Sequence, residues 1–203
     1  MRTSLRSILF VSFTLVLTAC AQINQSGSST SKGTIVQHGS GLPAAIVSQS
    51  SIQGNWKASC TQDPATKGYY TAALAIQNTV MAVDTISYAD SNCAFAISDE
   101  KRVSNIVITA LSDVTNLTET LVTIQYTPMN AVMANLFNSS SFCGVTNWAA
   151  NTPEMITTAT ACAGVQPKIE FHTELYGSQE LYLDTCAITS STTTCAVRYV
   201  KSN

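Results

Sequence analysis

The chain is poor in charge, in histidine and in long apolar runs. Asp, Glu, Lys and Arg make up only 11% of its 203 residues, against roughly a quarter in soluble proteins. The formal net charge is −2, with no basic surplus. A nucleic-acid binder, or a protein held by anionic headgroups, needs that surplus, so both are poor expectations. Two histidines, His38 and His172, and no C-x-x-C provide neither a metal set with ligand spacing nor a thiol redox motif. The nine glycines are scattered and build no phosphate-cradling loop. No metal and no cofactor are therefore expected. Ser, Thr, Asn and Gln stand where charge is missing, as is common in secreted β-rich proteins.

What is present begins with a leader. Arg2 and Arg6 precede an uncharged apolar run from Ile8 to Leu17, and Leu17-Thr18-Ala19-Cys20 closes it. A basic start, an apolar centre and a small-residue cleavage site make a secretory signal. This run of ten residues is well short of the roughly 20 that span a bilayer. Leu-Thr-Ala-Cys also resembles the lipobox of bacterial lipoproteins. That resemblance implies cleavage before Cys20 and a diacylglycerol thioether on its sulfur. It further implies an additional acyl chain on the new amino group. Two or three acyl chains hold a protein stably, so the expected membrane partner is reached through a lipid anchor. Ala21, not Asp, follows the cysteine. By resemblance to Gram-negative lipoproteins, this points to the outer membrane. Loss of residues 1–19 removes two basic residues and no acidic one, which leaves a formal charge of −4.

Six cysteines remain: Cys60, Cys93, Cys143, Cys162, Cys186 and Cys195. An even number in an exported chain reads as three disulfides, for which fifteen pairings exist. Short loops suggest Cys143–Cys162 and Cys186–Cys195, which leaves Cys60–Cys93. Residues 20–53 read as the lipidated cysteine and a flexible tether rich in Ser, Gly, Gln, Asn and Thr. Its reach is roughly 30 Å. Ile35-Val36 and Ala44 to Val47 are apolar islands in it that can dock on the domain.

Residues 54–203 read as one domain of short strands. Asn55–Cys60, Tyr69–Ile76, Thr79–Tyr88 and Ala94–Ile97 are followed by Val103–Leu111 and Thr118–Thr127. Lys168–Tyr176, Glu180–Thr185 and Ala196–Lys201 close the chain. Gln77-Asn78 reads as a hairpin turn. The dense charges of Asp99-Glu100-Lys101-Arg102 read as a solvated turn. Asn130 is an acceptable N-cap for a short helix to Phe137, with Val132, Met133, Leu136 and Phe137 as its core stripe. Residues 143–164 give no clear pattern. Eight to ten short strands with one short helix predict an all-β, antiparallel barrel or sandwich.

Gly54-Asn55-Trp56 resembles the N-terminal Gly-x-Trp of lipocalins, where the Trp plugs the closed end of the barrel and the Gly permits close backbone approach. With Cys60 and then Tyr88-Ala89-Asp90-Ser91-Asn92-Cys93, the pattern is similar to bacterial secreted proteins of unknown function with a lipocalin-like barrel. It also looks like the barrel domain of the eukaryotic APC-down-regulated proteins, which bind lipidated signalling proteins. Phe137 to Gly144, Asn147-Trp148, Glu180 to Asp184 and Arg198-Tyr199 fit the bacterial group. The resemblance implies a lipocalin-like barrel over Gly54 to Lys201, Gly54 and Trp56 as its plug, and adds weight to Cys60–Cys93. No Thr-Asp-Tyr triplet of the second lipocalin motif is present.

Tyr70, Tyr88, Tyr126 and Phe171 are the candidate ligand residues, able to line or to fill a small barrel. His172, between Glu170 and Glu174 at period two, offers a weak acid–base set. Strand alternation instead makes that a solvated face, with Ile169, Phe171, Thr173 and Leu175 inward. The expected function is a non-enzymatic, membrane-anchored lipoprotein holding a small apolar or lipid-like ligand. The alternative is an envelope structural or interaction module with a solid barrel.

Overall fold

The computed structural model describes residues 47–63, 66–110, 115–156, 162, 165–184 and 196–202. Cys20, residues 21–46 and the pair Cys186 and Cys195 lie outside the described residues. The strands are β1 (Gly54–Gln62), β2 (Tyr69–Gln77), β3 (Val80–Tyr88), β4 (Ala96–Ala110) and β5 (Thr115–Pro128). Helix α1 (Ala131–Ser139), β6 (Glu154–Ile156), β7 (Lys168–Tyr176), β8 (Glu180–Asp184) and β9 (Ala196–Ser202) complete the order. All pairings are antiparallel. The ring runs β1-β2-β3-β4-β5-β7-β8-β9 and closes on β1, while β6 pairs with β5 outside it. This is the expected all-β antiparallel barrel with one short helix. Closure leaves the eight ring strands with two neighbours each, which removes the exposed edges of an open sheet.

Alternation places the core. Trp56 on β1, Leu74 and Ile76 on β2, Met81 on β3, Ile106 on β4 and Leu117 on β5 are all buried. Leu175, Leu181, Leu183 and Tyr199 complete that inner face from the other side. Each such aliphatic side chain contributes ~1.5–3 kcal/mol of apolar burial. Val47 and Ile52, from the stretch read as tether, are buried in the same core. Asn78 takes the left-handed turn position at φ 53 where a hairpin often uses Gly. Its N–H donates to Gln53 Oε1 at 2.6 Å.

Two expectations require correction. The charges at 99–102 form no turn: β4 runs through them, because their partners sit across the strand pairs. Lys101 Nζ lies 3.3 Å from Asp84 and 3.5 Å from Asp99. Second, the helix stripe is narrower than its spacing suggested. Asn130 does cap it, its side chain accepting from the Met133 N–H at 2.9 Å. Yet Ala134 and Phe137 are the buried residues, and Val132 is 80% exposed. The main sheet surface beneath α1 is β5, so one side of the stripe meets solvent. The stretch after Cys143, which gave no clear pattern in the sequence, includes strand β6.

Two disulfides join described residues, Cys60–Cys93 and Cys143–Cys162. The first ties β1 to the turn after β3. Asp90 builds that turn by accepting from the N–H groups of Phe95 at 2.8 Å, Ala94 at 3.1 Å and Asn92 at 3.2 Å. Those bonds, that from Phe95 foremost, hold its carboxyl below the usual range. The second braces an aromatic core on β5, where Phe137 stacks on Phe142 at 4.2 Å and meets Trp148 edge-on at 5.1 Å. Asn138 clamps it, accepting from the Trp148 N–H and donating to the Trp148 carbonyl.

Candidate functional site: a charged belt inside the barrel

The Gly-x-Trp of β1 packs into the apolar core. Trp56 is fully buried, and its indole N–H donates to the Ile52 carbonyl at 2.9 Å. Lys201 Nζ lies 5.1 Å from the ring centroid, within cation–π range. Gly54 sits at φ +117, and a Cβ there would meet Lys201 Cε at 3.3 Å. Both the backbone angle and the space call for glycine.

The other half of the interior carries charge. On β4, Arg102 lies opposite Val83 of β3 and Ile124 of β5, which places it on the inner face with Glu100 and Ser104. Glu119 of β5 faces Ile106 across the same pair. Its side chain is 3% exposed, and that of Arg102 is 18% exposed. Ser104 Oγ donates to Glu119 Oε1 at 2.6 Å. Arg102 Nη2 stands 3.4 Å from Glu119 Oε1, and Nη1 stands 3.8 Å from Glu100 Oε1. Nε and Nη2 of Arg102 are enclosed and make no hydrogen bond among the described residues, the Nη2–Glu119 contact being an ion pair only. Burial, then Glu100, pushes the Tyr126 hydroxyl up from the usual phenol range. Burial, then Tyr70 and Glu119, does the same at Tyr199. Both phenols stay protonated and available as donors.

This belt lies between the apolar core around Trp56 and the aromatic core under α1, where Ile124 and Tyr126 are shared by the inner face of β5 and the helix. Of the four ligand candidates, Tyr70, Tyr126 and Phe171 fall on the inner side. Tyr88 pairs with Tyr69 on the outer face and bonds Thr71 at 3.3 Å. The belt itself escaped sequence reading. Its signal was Glu119, an acid at the inward position between Leu117 and Leu121.

The His172 face is outward, as alternation predicts, but it is not solvated. His172 Nε2 lies 3.2 Å from Glu174 Oε1, and the Tyr176 hydroxyl donates to Glu174 Oε2 at 2.8 Å. The side chains of His172 and Glu174 are only 15% and 5% exposed. Glu170 stands apart, beside Lys168 at 3.5 Å.

Two concavities, about 490 and 710 Å³, open over β1, β2, β3 and β9, the first also over β4 at 101–103, and both include Lys57, Ala73 and Asp84. Beside them, burial and the neighbouring Asp84 carboxyl push Asp99 up from the usual carboxylate range, against the pull of Lys101. A raised folded value means that the native state binds more protons than the unfolded chain just above pH 3.8. Stability is then lost as pH rises through that window. Asp99→Asn is expected to raise stability by ~0.5 kcal/mol at pH 7, the scale of a solvent-screened cross-strand charge contact. Urea unfolding at pH 7 and at pH 3.5 checks it, the gain shrinking at the lower pH. A loss at pH 7 would refute this account of Asp99.

No protein-family model matches the chain, and no curated protein matches it.

Proposed function

We propose that the protein is a non-enzymatic binding lipoprotein of the cell envelope. Lipid on Cys20 anchors it, most simply in the outer membrane, and the barrel takes up a small lipid-like ligand. The observation that carries this reading is the enclosed guanidinium of Arg102, whose Nε has no hydrogen-bond partner among the described residues and whose Nη2 reaches Glu119 Oε1 only as an ion pair at 3.4 Å. Buried donors without acceptors cost stability, and a bound molecule with an acceptor offsets that cost.

The test uses the full chain, expressed with its leader in a Gram-negative host and released from membranes with mild detergent. Native mass spectrometry separates covalent acyl mass from a dissociable ligand. A stoichiometric bound lipid is expected, retained in Cys20→Ala, which itself leaves the membrane fraction. Bare protein after incubation with envelope lipids would overturn the ligand assignment. That outcome favours a second reading, a solid barrel serving as an interaction module. The two concavities support this alternative.

A further inference from the structure

The outward positions of β2, β3, β4 and β5 carry an uncharged patch that a barrel ligand does not use. Cross-strand register orders it in rows. One row runs Lys57, Ala73, Asp84, Lys101 from β1 to β4. The next runs Asn55, Ala75, Ala82, Val103, Thr123 and has no charge from β1 to β5. Val80 stands opposite Asn105, and so lies diagonal to Val103 and Val107 at roughly 7–8 Å. Val122, the unpaired residue of the β-bulge, adjoins Thr123. Val80, Val103, Val107 and Val122 are between 36% and 62% exposed, four of the eight exposed large apolar side chains among the described residues. On the far side of β5 the patch meets the Lys168–Glu170 pair, which faces Thr120 and Thr118. An apolar centre inside a charged rim is the anatomy of a protein interface.

We propose that two copies of the chain meet on this face, about a two-fold axis lying along the strands between β3 and β4. The face holds both halves of such a contact. Ala73, Ala75 and Ala82 form a low floor, where the concavity of about 490 Å³ opens. Val103 and Val122 rise beside it. The two-fold turns each half onto the other, so that residue i meets j and j meets i. Val103 of one copy lies over Ala82 of the second, large on small. In the charged row, Lys101 of one copy lies over Asp84 of the second. Those side chains are 50% and 42% exposed, so each has room for a second partner of opposite sign. A lipid chain uses the alanine floor alone, whereas a second copy uses the floor and the valines together. The contact is independent of any barrel ligand.

Sedimentation equilibrium of the full chain in mild detergent tests this. The contact is at the small end of interface sizes, so a dissociation constant on the order of 10 µM is expected. Val103→Lys sets two cations side by side near the axis. It should weaken the dimer at least about a hundredfold, with an unchanged circular-dichroism spectrum. Ala82→Glu alone should do the same. Mixing the two variants should restore a heterodimer, because one contact gains a pair of opposite charges and the other stays native. A dimer that survives Val103→Lys, or variants that fail to rescue each other, would overturn the proposal. Detergent competes for apolar surface, so the contact is also read in intact host cells, with photoreactive p-benzoylphenylalanine in place of Val122. An adduct of twice the chain mass is expected. No adduct, or adducts only to lipid or to a different protein, would overturn the second copy as occupant.

Discussion

Trp56→Ala should cost ~3–5 kcal/mol of stability, the scale of deleting a large buried aromatic. The indole is fully enclosed, and it carries three interactions that no smaller residue replaces. It fills the apolar core beside Ile52, Leu74 and Ile76. Its N–H satisfies the Ile52 carbonyl, which truncation would leave without that donor. Its face receives the Lys201 ammonium. For a domain of this size the melting temperature should fall by on the order of 10 °C. Thermal unfolding followed by far-ultraviolet circular dichroism, with the disulfides intact, measures it. Trp56→Phe separates the contributions: it keeps much of the volume and loses the N–H, and its cost should be roughly half. A loss below ~1 kcal/mol for the alanine variant would mean that the indole is dispensable to the core, against its burial and its three contacts.

Much of the ring was legible because alternation and turn chemistry are local. On β7 the period of two assigned Ile169, Phe171, Thr173 and Leu175 to the inner face without reference to any neighbour. The cysteines were legible for a different reason. Short loops suggested Cys143–Cys162, and Cys60–Cys93 remained once the local pairs were drawn. β4 was read as two strands and a turn because Asp99, Glu100, Lys101 and Arg102 are four consecutive charges. Their fate depends on residues far along the chain. Asp84 of β3 receives Lys101, and Glu119 of β5 receives Arg102. No local signal distinguishes a charge that has a cross-strand partner from one that needs water. Val132 failed in the opposite sense. Helical spacing marked it as core, but the breadth of the surface under α1 is set by tertiary structure. The belt combines both difficulties, since inward charge on a strand breaks the pattern that identifies the strand.

The same belt supplies the second large effect. Arg102→Met should destabilise the protein by ~3–5 kcal/mol, because it strands Glu119, whose side chain is almost fully enclosed, without its cation. The cost is that of the uncompensated charge more than the worth of the pair, and a double mutant separates the two. Arg102→Met combined with Glu119→Leu removes both charges and leaves Ser104, whose hydroxyl can turn to another acceptor. Buried ion pairs replaced together by apolar side chains are often neutral or stabilising, so the double variant should recover most of the loss. The coupling, read from urea unfolding of the four proteins, should exceed 2 kcal/mol. Additive single effects with no recovery would mean that Arg102 acts through packing of its alkyl stem. The belt would then be a structural filler, and the case for a ligand acceptor at its guanidinium would lose its footing.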